Sequence, residues 1–163
     1  MKIGITGSRG TLGRRIAGNL EKMGHNVFPF QGDVRDRDVV FRWADQMEAM
    51  VHSAAIVPVP KVRQDIAKAI ATNVVGTLNM ASAAAEFGAH LTYISTSHVY
   101  QECADPISED HPQNPINEYG LTKWQGEHWV QAVIDHALIL RVFSFFSPDQ
   151  ADGYFVPTLA KRI

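Results

Sequence analysis

The chain opens with Ile3-Gly4-Ile5-Thr6-Gly7-Ser8-Arg9-Gly10-Thr11-Leu12-Gly13, a short apolar run followed by glycines at positions 7, 10 and 13. In a strand–turn–helix unit, the first glycine permits a tight turn, the second lets the backbone approach a pyrophosphate, and the third lets helix and strand pack closely. Unpaired N–H groups and the helix dipole favour an anion there. The stretch predicts a dinucleotide-binding turn; a glycine-rich turn without a ligand is the competing interpretation.

Outward from this turn, strand patterns alternate with helical patterns. The predicted strands are residues 2–6, 27–30, 48–54, 91–95 and 138–142, and the predicted helices are residues 11–23 (ended by Gly24), 33–46, 60–88 and 115–135. In the long helix one face carries Val62, Ile66, Ile70, Val74, Leu78 and Ala81. Such alternation indicates βαβ crossovers, so the predicted fold class is α/β, a Rossmann-type doubly wound parallel sheet with helices on both faces. A further helix could begin within residues 154–163.

Composition narrows the function classes. The 163 residues predict one domain, and the formal charge of -2 gives no reason to expect nucleic acid or an anionic membrane as a partner. The single Cys103 fits a reducing compartment. No apolar run approaches the length of a membrane span, and the chain enters a strand pattern at Lys2 without a signal peptide. We therefore expect a cytoplasmic protein, and no metal site is predicted.

Tyr119 and Lys123 form the candidate catalytic pair, because residues four apart share one face of a helix. An ammonium near a phenol favours the phenolate and lowers the tyrosine pKa, which suits acid/base work near neutral pH. The segment 93–100 adds hydroxyls, including Thr96, where a parallel strand ends and ligands of open α/β sheets bind. The pair could instead be surface decoration, and the hydroxyls could cap a turn. Together with the glycine turn, they indicate a nicotinamide-dependent oxidoreductase.

The chain resembles the extended short-chain dehydrogenase/reductases, in the nucleotide-sugar-modifying branch of the NAD-dependent epimerase/dehydratase superfamily, and is most similar to its dTDP-4-dehydrorhamnose reductase-like members. Arg141 also fits the strand that follows the active-site helix. Six segments in family order carry the resemblance: Thr6-Gly7-Ser8-Arg9-Gly10-Thr11-Leu12-Gly13, Gly32-Asp33-Val34-Arg35-Asp36, His52-Ser53-Ala54-Ala55, Asn73-Val74-Val75-Gly76-Thr77, Ser95-Thr96-Ser97-His98-Val99-Tyr100 and Tyr119-Gly120-Leu121-Thr122-Lys123.

The resemblance implies a role for each matching residue. Thr96 would form a hydrogen bond with the reacting oxygen, and Tyr119 would be the proton donor. Lys123 would hold the nicotinamide ribose and lower the pKa of Tyr119. The remaining cofactor-binding positions would be Gly7, Arg9, Gly10, Thr11 and Leu12 at the pyrophosphate, Ser8 in the same turn, Asp33 and Val34 at the adenine, and Ala54, Ala55, Ile56 and Asn73 along the cleft. Ala54 and Ala55 could also serve helix–sheet packing, and Asn73 could tie a helix to a neighbouring loop.

The family pattern is broken at Ser97-His98, where the sugar dehydratases have an acidic pair and the rhamnose-type reductases usually have Asp-Tyr. The absence of the acidic pair counts against a sugar dehydratase. His98 stands where an epimerase of the family supplies an acid/base, and imidazole can do that work near neutral pH; a structural hydrogen-bonding role is the alternative. No Asp or Glu ends the second strand, so Arg9 could meet a 2′-phosphate, which favours NADP slightly over NAD.

Three functions stay open: reduction of a keto group in a nucleotide-sugar or similar small carbonyl compound, epimerisation with tightly bound NAD, and a non-catalytic dinucleotide-binding regulatory subunit. Family members run to nearly twice this length. The resemblance therefore implies a Rossmann domain over residues 1–146 and a remnant of the substrate lobe over residues 147–163, with that lobe largely absent. A homodimer through the helices carrying Val74–Leu78 and Trp124–Val133 is plausible, although Trp124, Trp129 and Val130 could instead be core.

Overall fold

The computed structural model describes residues 1–145, and its centre is one parallel sheet. The strands are β1 (Lys2–Thr6), β2 (Asn26–Pro29), β3 (Ala49–His52), β4 (His90–Thr96) and β5 (Leu138–Val142). Their order across the sheet is β2-β1-β3-β4-β5, with every pair parallel. The α/β class and the five strands expected from the sequence are confirmed. The order reverses direction between β1 and β3, which makes that junction the topological switch point where ligands of such sheets bind.

The helices cover the sheet on two faces. They are α1 (Thr11–Lys22), α2 (Arg37–Ala44), α3 (Val59–Gln64), α4 (Ile66–Ile70), α5 (Gly76–Phe87) and α6 (Glu118–Val133), with a 3₁₀ turn at Ser97–Val99. Helix α1 packs on β1 and β2, whereas α2, α5 and α6 pack side by side. Because the crossover from β1 to β2 runs opposite to the later ones, right-handed connections put α1 on one face and the other three on the opposite face.

The core lies between β3, β4 and the α2–α5–α6 layer. Alanines on α5 let the helix approach the sheet, and Met50 and Tyr93 fill the space they leave. The fully buried set includes Val40, Ala44, Met50, Met80, Ala81, Ala83, Tyr93 and Val130. Burial of apolar area, worth roughly 25 cal/mol per Å², stabilises the packing of this helical layer on β3 and β4.

The long helix predicted over residues 60–88 is wrong as one element. Asp65 interrupts it, because its side chain accepts a hydrogen bond from Lys68 N and starts a new helix, α4. A π-helical turn at Ala71–Val75 then separates α4 from α5. The predicted apolar face is broken as a result: Val62 and Ala81 are buried, but Ile66 and Ile70 are each 43% exposed.

Several predicted boundaries also shift. Helix α2 begins at Arg37, not Asp33, because Asp36 caps it by accepting a bond from Val39 N. Strand β3 ends at His52, so Ser53 and Ala54 lie in the loop beyond it. Helix α6 begins after Asn117, which caps it. Helix α1 ends at Lys22, and the next residue, Met23, is 71% exposed.

The predicted boundary at residue 146/147, the proposed lobe remnant and the possible helix at 154–163 lie outside the described residues. At the proposed dimer surface, Val130 belongs to the core, whereas Trp129 is 46% exposed and Val75 is 44% exposed. The homodimer stays a prediction. Across residues 1–145, no helix combines the length and the apolar character needed to cross a membrane.

Candidate active site

The glycine turn joins β1 to α1 by close backbone contact. Gly7 has φ +68°, a conformation that side chains disfavour, and its carbonyl accepts a 2.9 Å hydrogen bond from Gly10 N. A Cβ on Gly13 would lie 2.2 Å from the Gly7 carbonyl oxygen, so only glycine fits there. The first turn of α1 has no side-chain cap. Its N–H groups are therefore donors for an anion at the helix N-terminus, as a dinucleotide pyrophosphate requires.

The loop after β3 faces this turn across the switch point. Ser53 Oγ donates to Thr6 O at 2.7 Å, and Ala54 N donates to Thr6 Oγ1 at 3.2 Å. A Cβ on Gly7 would lie 2.8 Å from Ala54 N. The two loops are thus held against each other, and Ala54 and Ala55 form one wall of the cleft that opens above them.

A cleft of about 600 Å³ extends from the glycine turn to the end of β4. The predicted site residues that line it are Gly7, Gly10, Thr11, Leu12, Ala54, Ala55, Thr96, His98 and Tyr119. A neighbouring pocket of about 290 Å³ is lined by Ser8, Arg9, Asp33 and Val34, together with Gly7 and Ala54. Residues separated by more than a hundred positions in the chain therefore meet in one groove. Ile56, Asn73 and Lys123 line neither cavity.

Thr96, His98 and Tyr119 converge at the far end of the cleft. Thr96 Oγ1 accepts a 3.3 Å hydrogen bond from His98 N at the start of the 3₁₀ turn. The hydroxyl therefore caps a turn, and its own hydrogen stays available to a ligand oxygen. The rings of His98 and Tyr119 meet edge to face with centroids 5.9 Å apart. This end of the cleft offers two hydroxyl groups and an imidazole to a small polar molecule.

Lys123 lies one helical turn beyond Tyr119 on α6 and is only 1% exposed. Its Nζ sits 3.9 Å from the centroid of the Tyr93 ring, a cation–π contact. Burial lowers the pKa of Lys123 from 10.5 to about 7, while the Glu127 carboxylate opposes that shift. Burial also raises the pKa of the Tyr93 phenol. The Lys123 side chain therefore changes between its charged and neutral forms near neutral pH.

Glu127 is a buried carboxylate that sequence reasoning missed, although it stands four residues beyond Lys123 on the same helix face. It is 1% exposed and accepts hydrogen bonds from Ser95 Oγ and from Gln113 Nε2, the latter at 2.8 Å. Arg141 Nη2 completes the set at 2.9 Å. The Ser95 hydroxyl is thereby hydrogen-bonded to α6.

His52 is a second missed residue, and a directional hydrogen-bond chain runs through it. Ala54 N donates to Thr6 Oγ1, which lies 2.7 Å from His52 Nδ1. Thr77 Oγ1 donates to Asn73 O and lies 3.1 Å from His52 Nε2. Since the Thr77 hydrogen is used, Nε2 must donate and Nδ1 must accept. Burial lowers the pKa of His52 from 6.5 to about 3, in keeping with a neutral ring.

Asn73 is fully buried and bridges the loop after β3 to α6. Its Oδ1 accepts from Ile56 N at 2.7 Å, and its Nδ2 donates to Ile56 O at 3.2 Å and to Thr122 Oγ1 at 3.0 Å. Thr122 Oγ1 in turn donates to Tyr119 O at 2.8 Å. Asn73 thus ties a helix to a neighbouring loop, and it fixes the backbone that carries Tyr119.

Asp33 forms a bidentate ion pair with Arg35. Arg35 Nε lies 2.9 Å from both carboxylate oxygens of Asp33, and Arg35 N donates to Oδ1 at 2.9 Å. The hydrogen bonds from Arg35 lower the pKa of Asp33. Asp33 and Val34 line the smaller pocket together with Arg9. Among residues 1–145, no group of three or more His, Cys, Asp or Glu side chains is placed to hold a metal ion.

A family model described as the RmlD substrate binding domain matches residues 1–163. The dTDP-4-dehydrorhamnose reductase of Mycolicibacterium smegmatis is 34% identical over an alignment of 145 residues, which covers 86% of this chain and 44% of the relative. A dTDP-4-dehydrorhamnose reductase structure from Clostridium acetobutylicum superposes with a TM-score of 0.90 at 32% identity, covering 99% of this chain and 59% of that chain.

The dTDP-4-dehydrorhamnose reductase of Bacillus anthracis, solved in complex with NADP, also superposes with a TM-score of 0.90, at 27% identity. The superposition covers 99% of this chain and 59% of the Bacillus anthracis chain. The chain spans about half the length of these three relatives, between 44% and 59%. The fold and the order of its elements are shared over that half.

Proposed function

The chain belongs to the RmlD substrate binding domain family, and from that premise we propose that it is an NAD(P)-dependent reductase of a keto group in a nucleotide-sugar or similar small carbonyl compound. The observation that carries the proposal is the single cleft that joins the glycine turn to Thr96 and Tyr119. An anion-binding turn at one end and a proton-donating phenol at the other are what reduction of a carbonyl by a dinucleotide needs.

The residues of the cleft fit a dinucleotide. Gly7, Gly10, Thr11 and Leu12 would hold the pyrophosphate at the start of α1, and Ala54 and Ala55 would leave room for the rings along the wall. The small pocket formed by Ser8, Arg9, Asp33 and Val34 would take the adenosine end. Bound NAD(P)H would supply the hydride for the keto carbon. The crystallised NADP complex of the Bacillus anthracis relative supports this choice of cofactor.

At the reacting end, the phenol of Tyr119 would give its proton to the carbonyl oxygen, and the Thr96 hydroxyl would donate a hydrogen bond to that oxygen. Thr96 is suited to this because its acceptor side is already used by His98 N. Lys123 would favour the Tyr119 phenolate after the proton has left, and its burial beside the Tyr93 ring makes its charge sensitive to what binds nearby. Acid–base help of this kind contributes about 10²–10⁴-fold to a rate.

Two other functions lead to different observations. An epimerase with tightly bound NAD would interconvert two sugars without net consumption of cofactor, and the imidazole of His98 in the cleft is the feature that favours it. A non-catalytic regulatory subunit would bind cofactor without turnover. The joint presence of Thr96 and Tyr119 in the cleft supports an enzyme, since a cofactor sensor needs neither group.

Calorimetric titration with NADPH and NADH, followed by turnover assays with keto-sugar nucleotides, tests the proposal. We expect saturable binding, and NADPH consumption with at least one keto substrate. Tyr119→Phe should bind the cofactor with unchanged affinity and lose at least about 10²-fold in turnover. Tight binding without turnover on any keto-sugar would favour the regulatory subunit, and failure of the folded protein to bind either cofactor would overturn the proposal.

A further inference from the structure

Asn117 and His98 are joined in a way that fixes which nitrogen of His98 carries the proton. Asn117 Oδ1 accepts the N–H of Gly120 at 2.8 Å, as the N-cap of α6. A backbone N–H can only donate, so this atom of the carboxamide must be the oxygen. The other atom, Nδ2, therefore faces His98, where it lies 3.0 Å from Nδ1. An NH₂ group also only donates, so Nδ1 must accept and the ring proton is on Nε2.

The surroundings hold the ring in this position. Ile116 N donates to His98 O at 3.2 Å, and Gly120 packs so closely that a Cβ there would lie 2.2 Å from His98 O. Tyr119 meets the ring edge to face. Placing a second proton on Nδ1 would set two donors against each other, and turning the Asn117 amide to relieve this would break its bond to Gly120.

We propose that Asn117 is a positioning residue that holds His98 as the Nε2–H tautomer, so that His98 offers a hydrogen-bond donor to a hydroxyl or keto oxygen of the substrate beside Tyr119. In this form the ring does not accept a proton from the substrate. The role of the His98 Nε2–H group as a donor to the substrate rests on the proposed reductase function. The assignment of the His98 tautomer does not depend on that function. A neutral donor of this kind suits sugar oxygens, and it differs from the acid/base that an epimerase would need at His98.

Nuclear magnetic resonance of protein labelled with ¹⁵N-histidine tests the tautomer directly. The chain has 7 histidines, and the spectrum of His98→Gln identifies the signals of His98. At mildly alkaline pH we expect Nε2 to be protonated and Nδ1 to be a pure acceptor. Asn117→Asp keeps an acceptor for Gly120 N but places a second acceptor against Nδ1, so it should move the proton to Nδ1. Asn117→Ser keeps the cap with no donor at Nδ1 and should give a mixture.

An unprotonated Nε2 in the wild type, or the same tautomer in Asn117→Asp, would overturn the proposal.

A second experiment measures turnover with NADPH and a keto-sugar nucleotide. His98→Ala should raise KM about tenfold, and His98→Gln, whose amide can donate from a similar position, should recover most of that loss. Equal losses in the two variants would refute the donor role. If the wild type shows no turnover, the proposed function fails while the tautomer measurement still gives its own answer.

Discussion

Glu127 and Arg141 form an ion pair that ties α6 to β5. Arg141 Nη2 lies 2.9 Å from Glu127 Oε2, and Arg141 Nε lies 3.2 and 3.1 Å from the two carboxylate oxygens. Arg141 also donates to Tyr100 OH and, at 3.0 Å, to Glu109 O. One guanidinium thus connects α6, β5 and the loop that follows the 3₁₀ turn.

Removing one partner of this pair should be costly, because it leaves a buried charge without compensation. We expect Arg141→Met to lower the free energy of unfolding by about 3 kcal/mol in urea titrations. The double variant Glu127→Gln/Arg141→Met should lose less than the sum of the two single variants, since the orphaned charge is then gone. Additive losses would show that the two side chains act independently.

Two glycines of α1 make a matched pair for testing the dinucleotide turn. Gly13→Ala would place a Cβ 2.2 Å from Gly7 O, so we expect the turn to shift and NADPH affinity to fall by at least about tenfold. Gly18→Ala meets nothing within 4 Å and should stabilise the helix by about 0.5–1 kcal/mol with unchanged NADPH affinity. Calorimetry and thermal unfolding measure both effects. Normal cofactor binding by Gly13→Ala would contradict the assigned role of the turn.

The burial of Lys123 predicts how stability depends on pH. Its folded-state pKa of about 7 lies below the ordinary 10.5, so between these values the unfolded chain holds a proton that the folded chain has released. Stability should therefore rise with pH across this window, by about 1.4 kcal/mol per pH unit. Below about pH 7 the full penalty for burying the charge is present.

Urea titrations of the wild type and Lys123→Met across this window would isolate the effect. The stability advantage of Lys123→Met should be greatest below about pH 7 and shrink as the pH rises. Lys22→Met, at an exposed position of α1, should run parallel to the wild type. A constant difference between Lys123→Met and the wild type would show that the lysine stays charged in the folded protein.

Arg9 is the residue on which the choice between NADPH and NADH is expected to depend. It lines the small pocket together with Asp33, where the adenosine end would lie. A charge-assisted bond to a 2′-phosphate is worth about 1.5–3 kcal/mol, so Arg9→Ala should weaken NADPH binding about 10- to 100-fold and leave NADH binding unchanged. Arg42→Ala, on the exposed side of α2, is the control. Equal weakening for both cofactors would exclude recognition of the 2′-phosphate by Arg9.

The strands and the cleft could be anticipated because their signals are local. The apolar run before Gly7 predicts β1, and Gly24, which has φ +83°, ends the α1 region as its position suggests. Parallel strands put the residues at their carboxyl ends along one edge. Thr96 could therefore be placed in the same cleft as the glycine turn without knowledge of a single side-chain contact.

The rest depends on tertiary partners that no spacing reveals. Lys123 is buried against the Tyr93 ring, which belongs to a different element. His52 is hydrogen-bonded as a neutral ring by two threonines that also lie on different elements. Asn117 did carry a local signal, because an asparagine just before a helix is a common N-cap. Its second bond, to His98, became visible only with the fold.

The π-helical turn at Ala71–Val75 has a consequence for how this chain tolerates length changes. Such a turn corresponds to one extra residue inserted into an α-helix, and each residue rotates a helix by about 100°. Here the extra residue lets Asn73 reach Ile56 while the alanines of α5 still face the core. Deleting one residue from the turn would regularise the helix yet misalign these two faces. The segment thus acts as a rotational spacer, in which the number of residues sets the angle between the Asn73 side chain and the core face of α5.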